Sequence, residues 1–322
     1  MNNTDKEPLK VVYEDSSLGV HGDIDGNEFH YIFSFSAGGL ESIIKNGIEW
    51  LCRCPKPTFW RALTDNDRSN KFHIKSGSWL AADIFTECKD IKVFVDKIQQ
   101  GIPCVSKNNK FESTVYADEV CVCFTYETAT NPSTLVDIIY EVKKDGKIDV
   151  IARYHGKKNL PELPVFGVRF VMPMVADGYV YKGLRGETYP DRKADAEEGI
   201  YQIDDMSLTP YPVPEEGDMR MDTDWVEIYR NASLDSSRND DAVQTLRIQK
   251  RENKFLFSCL PYTASEIETA MYHEELSSAR RTVLCVYGAV RGIGGIDSCG
   301  KDAEESYRIS GEKDIRYSFT IV

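Results

Sequence analysis

No stretch of the 322-residue chain contains the roughly 20 consecutive apolar residues that a membrane-spanning helix needs. The opening MNNTDKEPLK has no apolar core of the kind a secretory signal carries. Positive charge is short as well: 39 Lys and Arg face 52 Asp and Glu, a formal charge of −13. Such a surface cannot neutralise a phosphate backbone, and it repels anionic lipid. Nucleic acid and membrane are therefore excluded as partners, and the acidity serves solubility. Histidine is scarce, with His21, His30, His73, His155 and His273 too dispersed for a metal site. The nine cysteines are odd in number and scattered among strand-like runs, which predicts reduced, mostly buried thiols in a cytoplasmic protein. Cys52 with Cys54, and Cys121 with Cys123, share one face of a strand. No second pair completes a tetrahedral site, so they are expected to pack rather than bind metal. No Pro/Ser-rich linker and no repeat divides the chain, so residues 1–322 are read as a single domain.

What is present is strand. Seventeen Tyr and fourteen Phe lie within 41% hydrophobic residues, enough for a large core and biased towards sheet. Runs such as LKVVYEDS, EFHYIFSFSAGG, EVCVCFTYETA, VFGVRFVMP and RRTVLCVYGAVRG recur between turn signals. Asn46 with Gly47, and Asp145 with Gly146, mark hairpin turns. Only SGSWLAADIF and SEIETAMYHEELSSA carry helical spacing. The expected architecture is all-β, one large antiparallel sandwich with its function in the loops.

Four of those loops combine chemistry with an anchor. PTFWRALTDNDRSN, residues 57–70, sets Phe59, Trp60 and Arg61 before Asp65, Asn66, Asp67 and Arg68. The aromatics are expected to seat an Asx-type turn, with Ser69 to Lys75 forming a flap over a site. YKGLRGETYPDR, residues 181–192, offers Gly183 and Gly186 for close or left-handed backbone. Its Glu187, Asp191 and Arg192 are read as a structural ion-pair knot, with Tyr189 as an amphipathic lid. TPYPVPEEGDMRMDTDW, residues 209–225, is extended by its prolines and carries Glu216, Arg220, Asp222 and Trp225. RGIGGIDSCG, residues 291–300, lacks the Lys and Ser/Thr of a phosphate loop and suits a tight turn presenting Asp297, Ser298 and Cys299.

In this order and spacing the four stretches resemble the C-terminal β-sandwich of family 2 β-galactosidases, in the form where that region is a separate small chain. The pattern Phe-Trp-Arg-Ala-x-Thr-Asp-Asn-Asp-Arg is met from Phe59 to Arg68. Gly-x-x-x-Glu-x-Tyr-x-Asp-Arg is met by Gly183, Glu187, Tyr189, Asp191 and Arg192. Gly-x-Gly-Gly-x-Asp-Ser is met by Gly292, Gly294, Gly295, Asp297 and Ser298. The similarity runs from the opening strands to RYSFTIV, and the Met1 start and the length fit a stand-alone subunit.

The resemblance implies a galactose mutarotase-like supersandwich. It also implies hydrolysis of terminal β-D-galactosyl bonds, as in lactose, by an assembled enzyme. Retaining glycosidases use two carboxyl groups about 5 Å apart. In the family both lie on the barrel of the large subunit, as do magnesium and sodium. This chain is thus expected to hold no catalytic residue, no metal and no cofactor, and to be inactive alone. Its implied share is the substrate rim, formed by Asp65, Asn66, Asp67, Arg68, Ser69, Asp297, Ser298 and Cys299. Trp60, Arg61, Glu187, Tyr189, Asp191 and Arg192 would be structural support. Cys299 stands where the family has a tryptophan that stacks on the acceptor sugar, and losing that platform costs about 1 kcal/mol or more. Tyr272 replaces a usual His, and Glu215 a usual Gln. Partners would be the large subunit and a carbohydrate. A free-standing mutarotase-like or sugar-binding protein is the alternative, though mutarotation needs an acid and a base facing one sugar and neither His155 nor His273 has the sequence context for that role; a homo-oligomeric scaffold is a third reading.

Overall fold

The computed structural model describes residues 7–14, 16–102, 114–231, 243–297 and 300–322. Its strands pair antiparallel in three sheets of six, ten and five strands. The six-stranded sheet is a meander of Leu9–Glu14, Ser17–Ile24, Asn27–Ser34 and Gly39–Lys45, closed by Ile48–Glu49 at one edge and Thr114–Ala117 at the other. The ten-stranded sheet runs from Glu198–Ile203 through Gly178–Leu184, Trp225–Arg230, Gln244–Lys250, Ile315–Ile321, Ile148–Tyr154, Leu135–Lys143, Glu119–Glu127 and Glu87–Val95 to Ile98–Gln100. The five-stranded sheet orders Arg220–Thr223, Phe255–Leu260, Arg281–Val290, Val165–Pro173 and Arg53–Thr58.

The strand-like runs form strands because their alternation matches a pleat with one face covered. In Glu119–Glu127 the residues Val120, Val122, Phe124 and Tyr126 turn inward. Opposite them Val136, Ile138, Tyr140 and Val142 do the same in Leu135–Lys143. Rings then join the sheets. Phe33 meets Tyr140 at 5.7 Å between the six- and ten-stranded sheets, and Phe166 meets Tyr317 at 5.7 Å between the five- and ten-stranded sheets. One apolar cluster takes buried side chains from all three sheets, which makes the sandwich. The Asn46–Gly47 hairpin turn is there, with both residues at positive φ (51° and 72°) between the paired Lys45 and Ile48. Gly146 turns the next hairpin at φ 69°.

Two expectations are corrected. Residues 76–85 form only a 3-10 turn at Gly77–Trp79 followed by further turns, because Trp79 is drawn into the core, where its indole Nε1 donates to the Pro161 carbonyl at 3.2 Å. In the second helical run a helix covers Ala264–Thr269 and a 3-10 turn His273–Glu275. The thiols are also less buried than expected. Of the described cysteines Cys259 and Cys285 are buried, whereas Cys52, Cys54, Cys88, Cys121 and Cys123 lie on the partly exposed faces of their strands or at strand ends; all are free. Burial still pushes the Cys121 thiol up to about 12 and the Cys123 thiol up to about 11, with nearby carboxylates adding to the shift. Among the described residues no helix is long and apolar enough to cross a membrane.

Candidate functional site

The first stretch crosses from core to surface within ten residues. Phe59 is buried between Trp79 (5.3 Å) and Phe166 (6.2 Å), and Trp60 stacks on Phe72 at 6.5 Å, so both aromatics seat the loop as expected. The acidic run then starts a helix rather than an Asx turn. Helix α1 (Asp65–Ser69) is capped by Thr64, whose hydroxyl accepts from the Asp67 N–H at 3.2 Å while Asp67 Oδ2 accepts from the Thr64 N–H at 3.1 Å. This reciprocal capping box converts the Asp-Asn-Asp run into a helix because its second aspartate falls at the third helical position.

Asp67 is fully buried and shared by two cations. Arg61 Nη2 donates to both its oxygens, at 3.2 and 3.0 Å, and Arg291 Nη1 lies 3.5 Å from Oδ1. Arg291 pairs further with Asp302, and with Glu162 at 3.4 Å, and its guanidinium lies over the Phe72 ring at 4.2 Å. Both arginines also donate to the Gly292 carbonyl, each at 3.3 Å. Burial raises the Asp302 carboxyl and Arg291, Arg308 and Lys75 reverse the shift, leaving it below the ordinary range. The segment read as a flap is therefore pinned: α2 (Phe72–Lys75) holds Phe72 beneath Arg291, and Lys75 reaches Asp302 at 3.4 Å.

The second stretch grips the same glycine loop from the other side. Asp191 accepts from the N–H groups of Ile293 (3.1 Å) and Gly294 (2.8 Å), and Arg192 donates to the Gly294 carbonyl. The predicted ion-pair knot is thus a backbone clamp, since Asp191 and Arg192 are turned to main-chain groups and Glu187 is exposed. Tyr189 is no lid either; it is buried with Arg61 above its ring at 5.8 Å. Gly294 and Gly295 have φ of 66° and 72°, and a side-chain carbon on Gly295 would lie 2.2 Å from Asn66 Nδ2, so glycine is required there. Asp191→Asn should cost about 1–3 kcal/mol of loop stability, because the amide keeps one acceptor oxygen, uncharged, and sets its NH2 donor against the other N–H. Faster hydrogen exchange at the Ile293 and Gly294 amides measures it. Unchanged exchange would mean the two arginines hold the loop alone.

The third stretch completes the junction. Glu215 accepts from the Asp65 N–H at 2.9 Å, and Arg68 Nη2 donates to the Pro214 carbonyl at 3.3 Å. Beside it Glu216 is buried near Arg61. Burial lifts its carboxyl to about 8, with Arg61 opposing and Glu187 and Asp67 adding to the rise. Farther along, Arg220 pairs with Asp218, Asp222 with Lys193 at 2.8 Å, and the Arg247 guanidinium covers Trp225 at 4.1 Å.

All four stretches therefore meet around α1. Asp65 is exposed at its tip, Asn66 touches Gly295, Arg68 pairs with Asp65 at 3.2 Å, and Ser69 abuts Gly300. Asp297 is exposed and accepts from the Lys301 N–H at 3.0 Å. Ser298 and Cys299 lie outside the described residues. The buried charges hold two loops together, and Asp65 and Asp297 stay exposed at the surface beside them. Asp302 and Glu162 are the members that no sequence signal marks, whereas Arg291 and Glu216 stand in the fourth and third stretches without their buried partners being legible there.

The family model described as beta galactosidase small chain matches residues 25–321. The chain belongs to the β-galactosidase small-chain family. It is 48% identical over 321 residues to the beta-galactosidase small subunit of Latilactobacillus sakei, covering 100% of this chain and 99% of that one. It is 30% identical to a beta-galactosidase of Halalkalibacterium halodurans, where 97% of this chain spans 28% of the relative's length. Among solved structures, a galactose mutarotase-like protein from Lactobacillus casei aligns over 97% of this chain and 99% of its own, at 9% identity and TM-score 0.42.

Proposed function

We propose that this chain is the cytoplasmic small subunit of a two-chain β-galactosidase. Its α1 rim completes a pocket whose bond-breaking carboxylates, with their magnesium and sodium, reside on a large subunit. The assembled enzyme would remove terminal β-D-galactosyl residues, as from lactose. The observation that carries this reading is the end-to-end match to the L. sakei small subunit. The H. halodurans relative supports it, because there the same region is a little over a quarter of one longer β-galactosidase chain, so a separate chain would supply it in trans. The converged loops support the rim: Asp65, Arg68 and Asp297 are fixed at the surface by buried ion pairs rather than spent inside. The free thiols agree with a reducing compartment.

The test is a titration of this chain into a co-encoded large chain, followed by hydrolysis of a chromogenic β-galactoside. We expect no turnover by this chain alone and a saturable rise of at least tenfold in the large chain's activity. Equal activity with and without it would end the proposal.

A further inference from the structure

Six large apolar side chains stand exposed around α1. On one side Tyr211 and Val213 project from the proline-rich segment, and Met271 (65% exposed) and Tyr272 (61%) from the turn after the helix Ala264–Thr269. A backbone hydrogen bond from the His273 N–H to the Pro212 carbonyl, 3.2 Å, joins those two segments into one patch. On the other side stand Ile74 (68%) on α2 and Ile296 (55%) on the glycine loop that packs against Asn66. The ring's centre is polar: Asp65, Asn66 and Arg68.

These side chains stand on fixed backbone. Phe72 under Arg291 anchors Ile74, Arg68 holds the Pro214 carbonyl next to Val213, and Glu275 accepts from the Met271 N–H at 2.7 Å. Exposed apolar groups on pinned backbone lose little freedom on docking. Exposed apolar side chains gathered around one element mark an interaction site more than singly scattered ones do.

Two observations choose the occupant. In the H. halodurans β-galactosidase the matching region is 28% of a single polypeptide, so surface that packs on the remainder there is left bare when the region is a separate chain. A second copy fits poorly. The chain carries a charge of −13, and a two-fold contact through this ring would set Asp65 and Asp297 against their own copies.

We propose that the apolar collar around α1 is the seat of the β-galactosidase large chain, and that closing it seals the polar tip of α1 from bulk water. The inference rests on the function proposed above and adds which surface meets the partner. A dry seal around a polar centre would strengthen every electrostatic contact inside it.

The experiment uses the full chain and its co-encoded large chain immobilised on a sensor. Met271→Glu combined with Tyr272→Glu is expected to raise the Kd at least tenfold, with melting temperature and circular dichroism unchanged. Ile98→Glu, also exposed but on the far edge of the ten-stranded sheet, is expected to bind as the parent does. A collar variant that binds like the parent overturns the inference while the subunit role survives. A parent chain that fails to bind the large chain at all overturns both. Light scattering that shows the parent alone as a dimer, dispersed by the collar variant, assigns the collar to a second copy and overturns it too.

Discussion

Asp67→Asn should lower the unfolding free energy by about 3–5 kcal/mol, the cost of stripping one partner from a buried ion cluster. The change keeps size and shape, so the loss is one of charge and of one acceptor oxygen, which becomes an NH2 facing donors. Arg61 is 1% exposed and Arg291 0%, and Asp67 is the anion they share. Without it Arg61 keeps, among the described residues, the Gly292 carbonyl as its one acceptor, while Arg291 still has Asp302 and Glu162. The capping box weakens as well, because Thr64 donates from both its N–H and its hydroxyl to Asp67 Oδ2 at 3.1 Å. Urea unfolding of parent and variant measures the difference, and a loss under about 1 kcal/mol would mean the cluster is not what holds α1 to the glycine loop. The same contacts have a functional consequence. Asp67 fixes the helix whose tip is the proposed rim, so on that reading the variant should also bind the large chain more weakly than its surface residues alone would predict.

The cluster shows where sequence reading succeeds and where it stops. Strands such as Glu119–Glu127 and Leu135–Lys143 were legible because a period of two reports a single covered face. Arg53–Thr58, with prolines at 55 and 57, was not, and its place at the edge of the five-stranded sheet explains how it remains a strand. The apolar spacing of residues 76–85 imitates a helix. Trp79 and Ala82 are anchors dropped into the core from a turning chain in which Ala81 takes φ 60°. The motif residues themselves were readable, and their reason was not. Arg61 meets a carbonyl 231 positions away, and Asp302, which pairs with Arg291, sits in a run with no pattern. Periodicity and turn chemistry describe neighbours in sequence. A buried charge is specified by distant partners, so the resemblance located the loops and only the fold could show that their charges are spent on one another.

Glu216 gives the second large effect, and its sign is opposite to that of Asp67. Its carboxyl is buried, Oε1 has no hydrogen-bond partner among the described residues, and burial lifts it from 4.5 to about 8. Between those values the native protein holds a proton that the unfolded chain has released. Stability contributed by this group is therefore full below about pH 4.5, falls as pH rises, and is gone above about pH 8. Glu216→Gln removes the titration while keeping a polar group of the same shape. The variant should match the parent near pH 5 and exceed its stability at pH 9 by about 1–3 kcal/mol, the cost of an unsatisfied buried carboxylate. Asp218, Glu215 and Glu268 are also raised by burial, so the parent's own pH profile mixes several groups, and only the difference between parent and variant isolates Glu216. Urea midpoints at the two pH values decide it. A difference that does not grow with pH would mean that Arg61, close by, already keeps Glu216 ionised as a fourth carboxylate in the arginine cluster, beside Asp67, Asp302 and Glu162. In that case Glu216→Gln would destabilise the protein at every pH, as Asp67→Asn does.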